Sequence, residues 1–109
     1  MSLDNSARNI NSLVNSFRDY DEQSRLFVLE RLTSEVQDLV EESLEEFDKT
    51  GNEHFRIISR CCVASLDNLV LSVHKICDGI DDDRVADSLN EARSFLSAAQ
   101  QLLKIAYNN

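Results

Sequence analysis

Apolar residues return along this chain at intervals of three and four, the spacing that places them on one side of an α-helix. The pattern is strictest near the C-terminal end, where Val85, Leu89, Ala92, Leu96, Ala99, Leu103 and Ala106 follow one another in 4-3 steps. A seven-residue repeat turns 3.5 residues per helical turn, so this seam faces one neighbouring helix along its length. Ala92, Ala99 and Ala106 stand one heptad apart, which predicts close approach of that neighbour. Phe95, Leu102 and Ile105 lie beside the seam and make the apolar face broader than a two-stranded coiled coil needs. A compact bundle is the expected setting.

Three further segments carry the same period. The first helix is expected from about Leu3 to Phe17, with Leu3, Ala7, Ile10, Leu13, Val14 and Phe17 on one side and Asn and Ser on the other. Arg18-Asp19-Tyr20-Asp21 breaks it, and Asp19 or Asp21 is placed to cap the next helix, with Glu22 three residues after Asp19 as in a capping box. The second helix is expected from about Glu22 to Asp48, on the stripe Leu29, Leu32, Val36, Leu39, Val40 and Phe47. Leu26, Phe27 and Val28 widen that stripe, so its start is expected to be covered by more than one neighbour.

Lys49-Thr50-Gly51-Asn52 is the clearest turn, with Gly51 suited to the left-handed conformation that ends a helix and Asn52 to capping the next. The third helix, from about Glu53 to Cys77, has two stripes. One is Phe55, Ile58, Cys62, Leu66, Leu69, Val73 and Ile76; the other includes Val63, Val70 and His74, with Leu71 nearby. Two apolar faces predict burial from two sides, at the centre of the monomer or at a homodimer interface. After the turn Asp78–Asp82, the fourth helix runs to about Tyr107.

The composition agrees with this pattern. The chain has 109 residues, no proline and two glycines, which leaves few places for a helix to break. The expected fold is all-α, a single domain over residues 1–109 forming an antiparallel four-helix bundle, with homodimerisation favoured by the two-faced third helix.

Charge narrows the function. The formal net charge is −9, from 20 acidic and 11 basic side chains. Nucleic-acid affinity comes mainly from neutralising phosphates, so a nucleic-acid partner is disfavoured, and an anionic membrane surface for the same reason. A basic protein partner fits the balance better. No 18 consecutive residues are apolar and Met1–Asn11 is polar, so neither a membrane span nor a signal peptide is expected. Cys61, Cys62 and Cys77 have neither a disulfide-framework nor a CxxC spacing; they read as reduced, buried thiols in a cytoplasmic protein.

The acidic run of the second helix is the leading candidate for function. Asp38, Glu41, Glu45 and Asp48 share one face, with Glu42 and Glu46 beside them, and no lysine or arginine occurs between Arg31 and Lys49. Like charges at these spacings repel. A solvated face and a docking face for a basic partner both fit, and the second makes these six residues the expected partner-binding site.

Other constellations compete with it. Glu42-x-x-Glu45 followed by Asp67 resembles the all-α nucleotide pyrophosphohydrolases of the MazG type, in which an ExxE and a later ExxD hold Mg²⁺ against a phosphate chain. The resemblance covers two short segments, and Ala64 stands where the second glutamate belongs; it implies a Mg²⁺-dependent nucleotide hydrolase as the alternative reading. Asp67, His74 and Asp78 fall on one side of the third helix. A histidine phosphotransfer domain is a bundle of similar length, but its lysine and glycine after the histidine are here Cys77 and Asp78. A partly buried, hydrogen-bonded His74 is the plainer expectation, and His54 has no partner pattern.

A calcium loop starting at Asp78 would need glycine at Asp83 and glutamate at Leu89, so the Asp81-Asp82-Asp83 run reads as helix capping. Cys77 with His74, three residues apart, has the only thiol–imidazole helical spacing, and Cys77 also fits the apolar pattern. No complete catalytic constellation emerges. The expectation is a small, non-enzymatic interaction module of the adaptor, chaperone, immunity or inhibitor kind, without cofactor or metal.

Overall fold

Polar caps close the helices at the predicted breaks. The structure, a computed structural model, describes residues 1–108 as four helices with no strand among them: α1 (Leu3–Ser16), α2 (Glu22–Thr50), α3 (Glu53–Cys77) and α4 (Asp82–Asn108), with a 3-10 turn at Phe17–Asp19 after α1. Of the two candidate caps for α2 the chain uses Asp21, whose carboxylate accepts from the Ser24 amide at 2.8 Å; Asp19 belongs to the 3-10 turn. Those hydrogen bonds with Ser24 hold the Asp21 carboxyl below its ordinary value. Gly51 (φ 67°) ends α2 in the left-handed conformation, its amide donating to the Phe47 carbonyl at 2.7 Å. Asn52 then accepts from His54 at the start of α3, and Asp81 from Arg84 at the start of α4.

The helices pack around α3. It lies between α2 and α4, while α1 packs mainly on α4 and more lightly on α2. The heptad of α4 points inward: Val85, Leu89, Ala92, Leu96 and Ala99 are fully buried, and Ala106 nearly so. Against it lie Phe55, Ile58, Cys62, Leu69 and Ile76 of α3. The alanines act as expected, since the Ser65 hydroxyl of α3 reaches across to donate to the Ala92 carbonyl at 2.9 Å. A larger residue at position 92 would push these two backbones apart.

With 14 residues α1 is about half as long as α2, so it covers only part of the bundle. Asp4 accepts from Gln100, and Glu35 accepts from Ser6 and Asn9, which fixes where α1 begins along its two neighbours. Beyond that level the interior is closed by three helices alone, with Ser43, Phe55 and Ala106 among its buried residues. Buried serines recur through the core, and no buried side-chain polar atom among the described residues lacks a hydrogen-bond partner.

Three expectations change. Phe27 is 60% exposed, so the widened band at the start of α2 is not covered on that side. The second stripe of α3 is open, with Val63, Val70 and Leu71 each 40–45% exposed, because the two neighbours of α3 sit on its other flanks. The length of α3 and an 18-residue window of mean hydropathy 1.3 are enough by composition for a membrane span, although the charged residues in the helix break every uninterrupted apolar run. A helix that serves two neighbours and still carries an apolar outer stripe reaches that average without a membrane.

Arg25 ties the bundle's end together. Its Nε donates to the Phe17 carbonyl at 2.9 Å, its guanidinium stacks 3.9 Å from the Phe17 ring centroid, and it pairs with Asp82 at 2.9 Å. One side chain thus joins the end of α1, the start of α2 and the start of α4. Lysine lacks the planar fork that makes all three contacts at once. Arg25→Ala is expected to lower unfolding stability by about 2 kcal/mol and Arg25→Lys to recover less than half of it, read from urea denaturation by circular dichroism.

Candidate functional site

The acidic face of α2 is built by helical geometry alone. The core-facing side of α2 carries Leu29, Leu32, Val36, Leu39 and Ser43, all buried. A 3.6-residue turn therefore places Asp38, Glu41, Glu45 and Asp48 on the opposite side, and all four are exposed. Glu42 and Glu46 are half-buried. Glu42 follows one heptad after Glu35, the residue that meets α1, so it continues the α1-facing side past the point where α1 begins.

No counter-charge reaches this face. The ion pairs among the described residues join Arg18 to Asp83, Arg25 to Asp82, Arg56 to Glu53 and Arg84 to Asp81. Lys75 is drawn to the Arg84 carbonyl and the Ser88 hydroxyl, and Arg93 to Asn90. None of the six acidic side chains has an ion-pair or hydrogen-bond partner among the described residues. The face can therefore offer unneutralised carboxylates to a cationic surface without first breaking internal contacts.

The carboxylates of the ExxE segment are not gathered with Asp67. Glu45 lies on the solvent side of α2, Glu42 on the side toward α1, and Asp67 on the exposed side of α3. Among the described residues no group of three His, Cys, Asp or Glu side chains has the proximity needed to hold a metal ion. His74 is exposed rather than partly buried, and its ring makes no hydrogen bond among the described residues. The other histidine, His54, sits 2.9 Å from the Asn52 side chain at the start of α3, part of that helix's cap.

The thiols divide sharply. Cys62 is fully buried, and burial, with the neighbouring Cys61 adding to it, pushes its thiol up to about 12. Burial also raises Cys61, which is half-buried. Cys77, expected to be buried, is exposed: it is the last residue of α3 and lines the open groove between α2 and α3.

Cys77 borders an apolar groove of about 370 Å³ between α2 and α3, lined by Leu26, Glu30, Thr33, Val70, Val73, His74 and Cys77. The signal for this groove was present in the spacing of Leu26, Thr33 and Leu44, which share a side of α2, and in the second stripe of α3. A smaller, polar recess of about 180 Å³ lies between α1 and α2 beside Asn9, Tyr20, Arg31 and Glu35.

Comparison with known proteins leaves the reading to these residues: the chain matches no protein-family model, and no significant match is found among curated proteins or solved structures.

At pH 8 about 10⁻⁴ of a thiol titrating near 12 is ionised, and the thiolate is the reactive form. With iodoacetamide on the folded protein, Cys77 is expected to be modified first, Cys61 more slowly, and Cys62 only after unfolding, as read by peptide mass spectrometry.

Proposed function

We propose that this chain is an antiparallel four-helix bundle that works as a non-enzymatic interaction module and binds a basic protein partner through the acidic face of α2. Two cross-helix contacts support the topology. The Ser65 hydroxyl meets Ala92 midway along α3 and α4, while Lys75 near the end of α3 meets Arg84 and Ser88 near the start of α4. The observation that carries the function is the set of free carboxylates at Asp38, Glu41, Glu42, Glu45, Glu46 and Asp48 on a helix of 29 residues. Packed at three- and four-residue spacing, they repel one another, and a cationic surface relieves that repulsion on docking.

Three free thiols with no pairing among them fit a reducing, cytoplasmic setting. The groups that carry catalysis elsewhere are here either dispersed, as Glu42, Glu45 and Asp67 are, or committed to caps, as Asp21 and Asp81 are.

Capture of a partner on the immobilised protein, eluted by a salt gradient, tests the proposal. The bound protein is expected to be basic and to elute as ionic strength rises, because rim charges act over about a Debye length of 8–10 Å. Glu41→Lys, Glu42→Lys and Glu45→Lys together are expected to weaken capture at least about tenfold while leaving the helical circular-dichroism signal unchanged. Unchanged capture by the triple variant would exclude this face.

A further inference from the structure

The outer side of α3 is the one long surface of this acidic protein that is both apolar and balanced in charge. Ile57, Val63, Val70 and Leu71 of α3 are each 40–45% exposed, and Leu44 of α2 and Ile105 of α4 are open to a similar degree. These residues account for most of the exposed large apolar side chains, although they come from three helices. Helical spacing puts Leu44 on the side of α2 that borders the groove with α3, and Ile105 on the side of α4 that flanks α3. The face is about 37 Å long by the rise of 25 helical residues.

Charge selects what covers it. Arg56 and Arg60 stand toward the start of α3, Asp67 near its middle and Asp78 at its end, all exposed. A partner rich in lysine and arginine meets Arg60 and an Arg56 already paired with Glu53, and a generally acidic one meets Asp67 and Asp78. A surface positive at one end and negative at the other is complementary to itself when turned through a two-fold axis. We propose that a second copy of this chain docks on the outer face of α3, the two α3 helices running in opposite directions about an axis level with Leu69 and Val70.

Arg60 and Asp78 lie nine residues either side of that level, so each Arg60 comes level with the second copy's Asp78, and the pair forms twice. Neither residue has an ion-pair partner within its own chain among the described residues. Val70 and Leu71 sit at the axis and pack on their own counterparts. Asp67, the carboxylate midway along the seam, lies about one helical turn from the second copy's His74. The two net charges of −9 repel at long range, and about 0.15 M salt screens that repulsion.

Sedimentation equilibrium of the full chain at 150 mM salt, from micromolar to several hundred micromolar, tests the assignment. The wild type is expected to be a dimer, and Val70→Asp with Leu71→Asp to make it a monomer of unchanged helicity. Arg60→Glu and Asp78→Arg are each expected to raise the dimer Kd by about tenfold or more, and the double variant to return it to within about threefold of wild type. A monomer throughout the concentration range overturns the proposal, as does a dimer indifferent to Val70 and Leu71 or a charge swap that fails to restore it. The lysine reversals on α2 are expected to leave the dimer intact, so failure of the acidic-face reading and failure of this one are separable.

Discussion

Everything in this molecule is arranged around the close approach of α3 and α4. The residues at their joint are small: Ala92 and Ala99 on α4, and Ser65 on α3, all fully buried, with a hydroxyl-to-carbonyl hydrogen bond crossing between the two backbones. Small residues lower the volume each helix presents, so the larger side chains on either side, Leu69 and Ile76 of α3 and Leu89 and Leu96 of α4, interdigitate rather than collide. A serine in such a place is affordable only because its hydroxyl is satisfied. Ser72 and Ser43 solve the same problem by donating to carbonyls of their own helices. With α4 seated on one flank of α3 and α2 on the other, α1 is left to fill the remaining angle between α4 and α2, and its short length suffices for only part of it.

Charge follows the same economy of placement. The basic residues that are engaged lie mostly where helices start or end: Arg25 and Arg18 bind the acidic start of α4, Arg84 pairs within its first turn, and Arg56 pairs within the first turn of α3. Carboxylates in those turns also meet the positive end of the helix dipole, so the N-terminal acids are doubly compensated. The acids of the second half of α2 have neither benefit. They stand far from the start of their helix, and Lys49, the one cation within a turn of them on α2, pairs with none of them among the described residues, which is why they form an extended, uncompensated field on the surface.

The fold was legible because the apolar period was unbroken and its interruptions were chemically explicit. Gly51 and Asn52 mark a turn with residues that have few other uses, and the limits of α3 follow from them directly. The heptad of α4 was readable for the same reason. Less legible was which apolar residues stay outside. Val70 and Leu69 are adjacent and similar in character, yet one is at the surface and the other fully buried; periodicity says that they face different ways, not which of the two directions holds a neighbour. Arg25 was invisible as well, since its partners Phe17 and Asp82 are distant in sequence and converge only after α1 and α4 have packed. The charge of the acidic run could be read from α2 alone, but not which of its members stay open: Asp38, Glu41, Glu45 and Asp48 are exposed, whereas Glu42 and Glu46 are half-buried. Nor could its companions be read: whether Glu42, Glu45 and Asp67 gather depends on the rotation of α3 relative to α2, which the sequence pattern leaves free.

That rotation decides how surface is shared between the two exposed features. Turning α3 so that Val63, Val70 and Leu71 faced inward would expose Ile58, Cys62, Leu69 and Ile76 instead and separate Ser65 from Ala92. The observed setting buries the larger stripe and leaves the smaller one outside, flanked by Arg60 and Asp78. A monomer selected only for solubility gains nothing from keeping three branched apolar side chains on the outer face of its central helix, and a charged or polar residue at each position would leave the core untouched. The acidic face of α2 shows that this chain carries abundant charge elsewhere. Placing it on α2 while keeping α3 apolar gives the two exposed faces different chemistries: unneutralised carboxylates on one, branched side chains flanked by charges of both signs on the other.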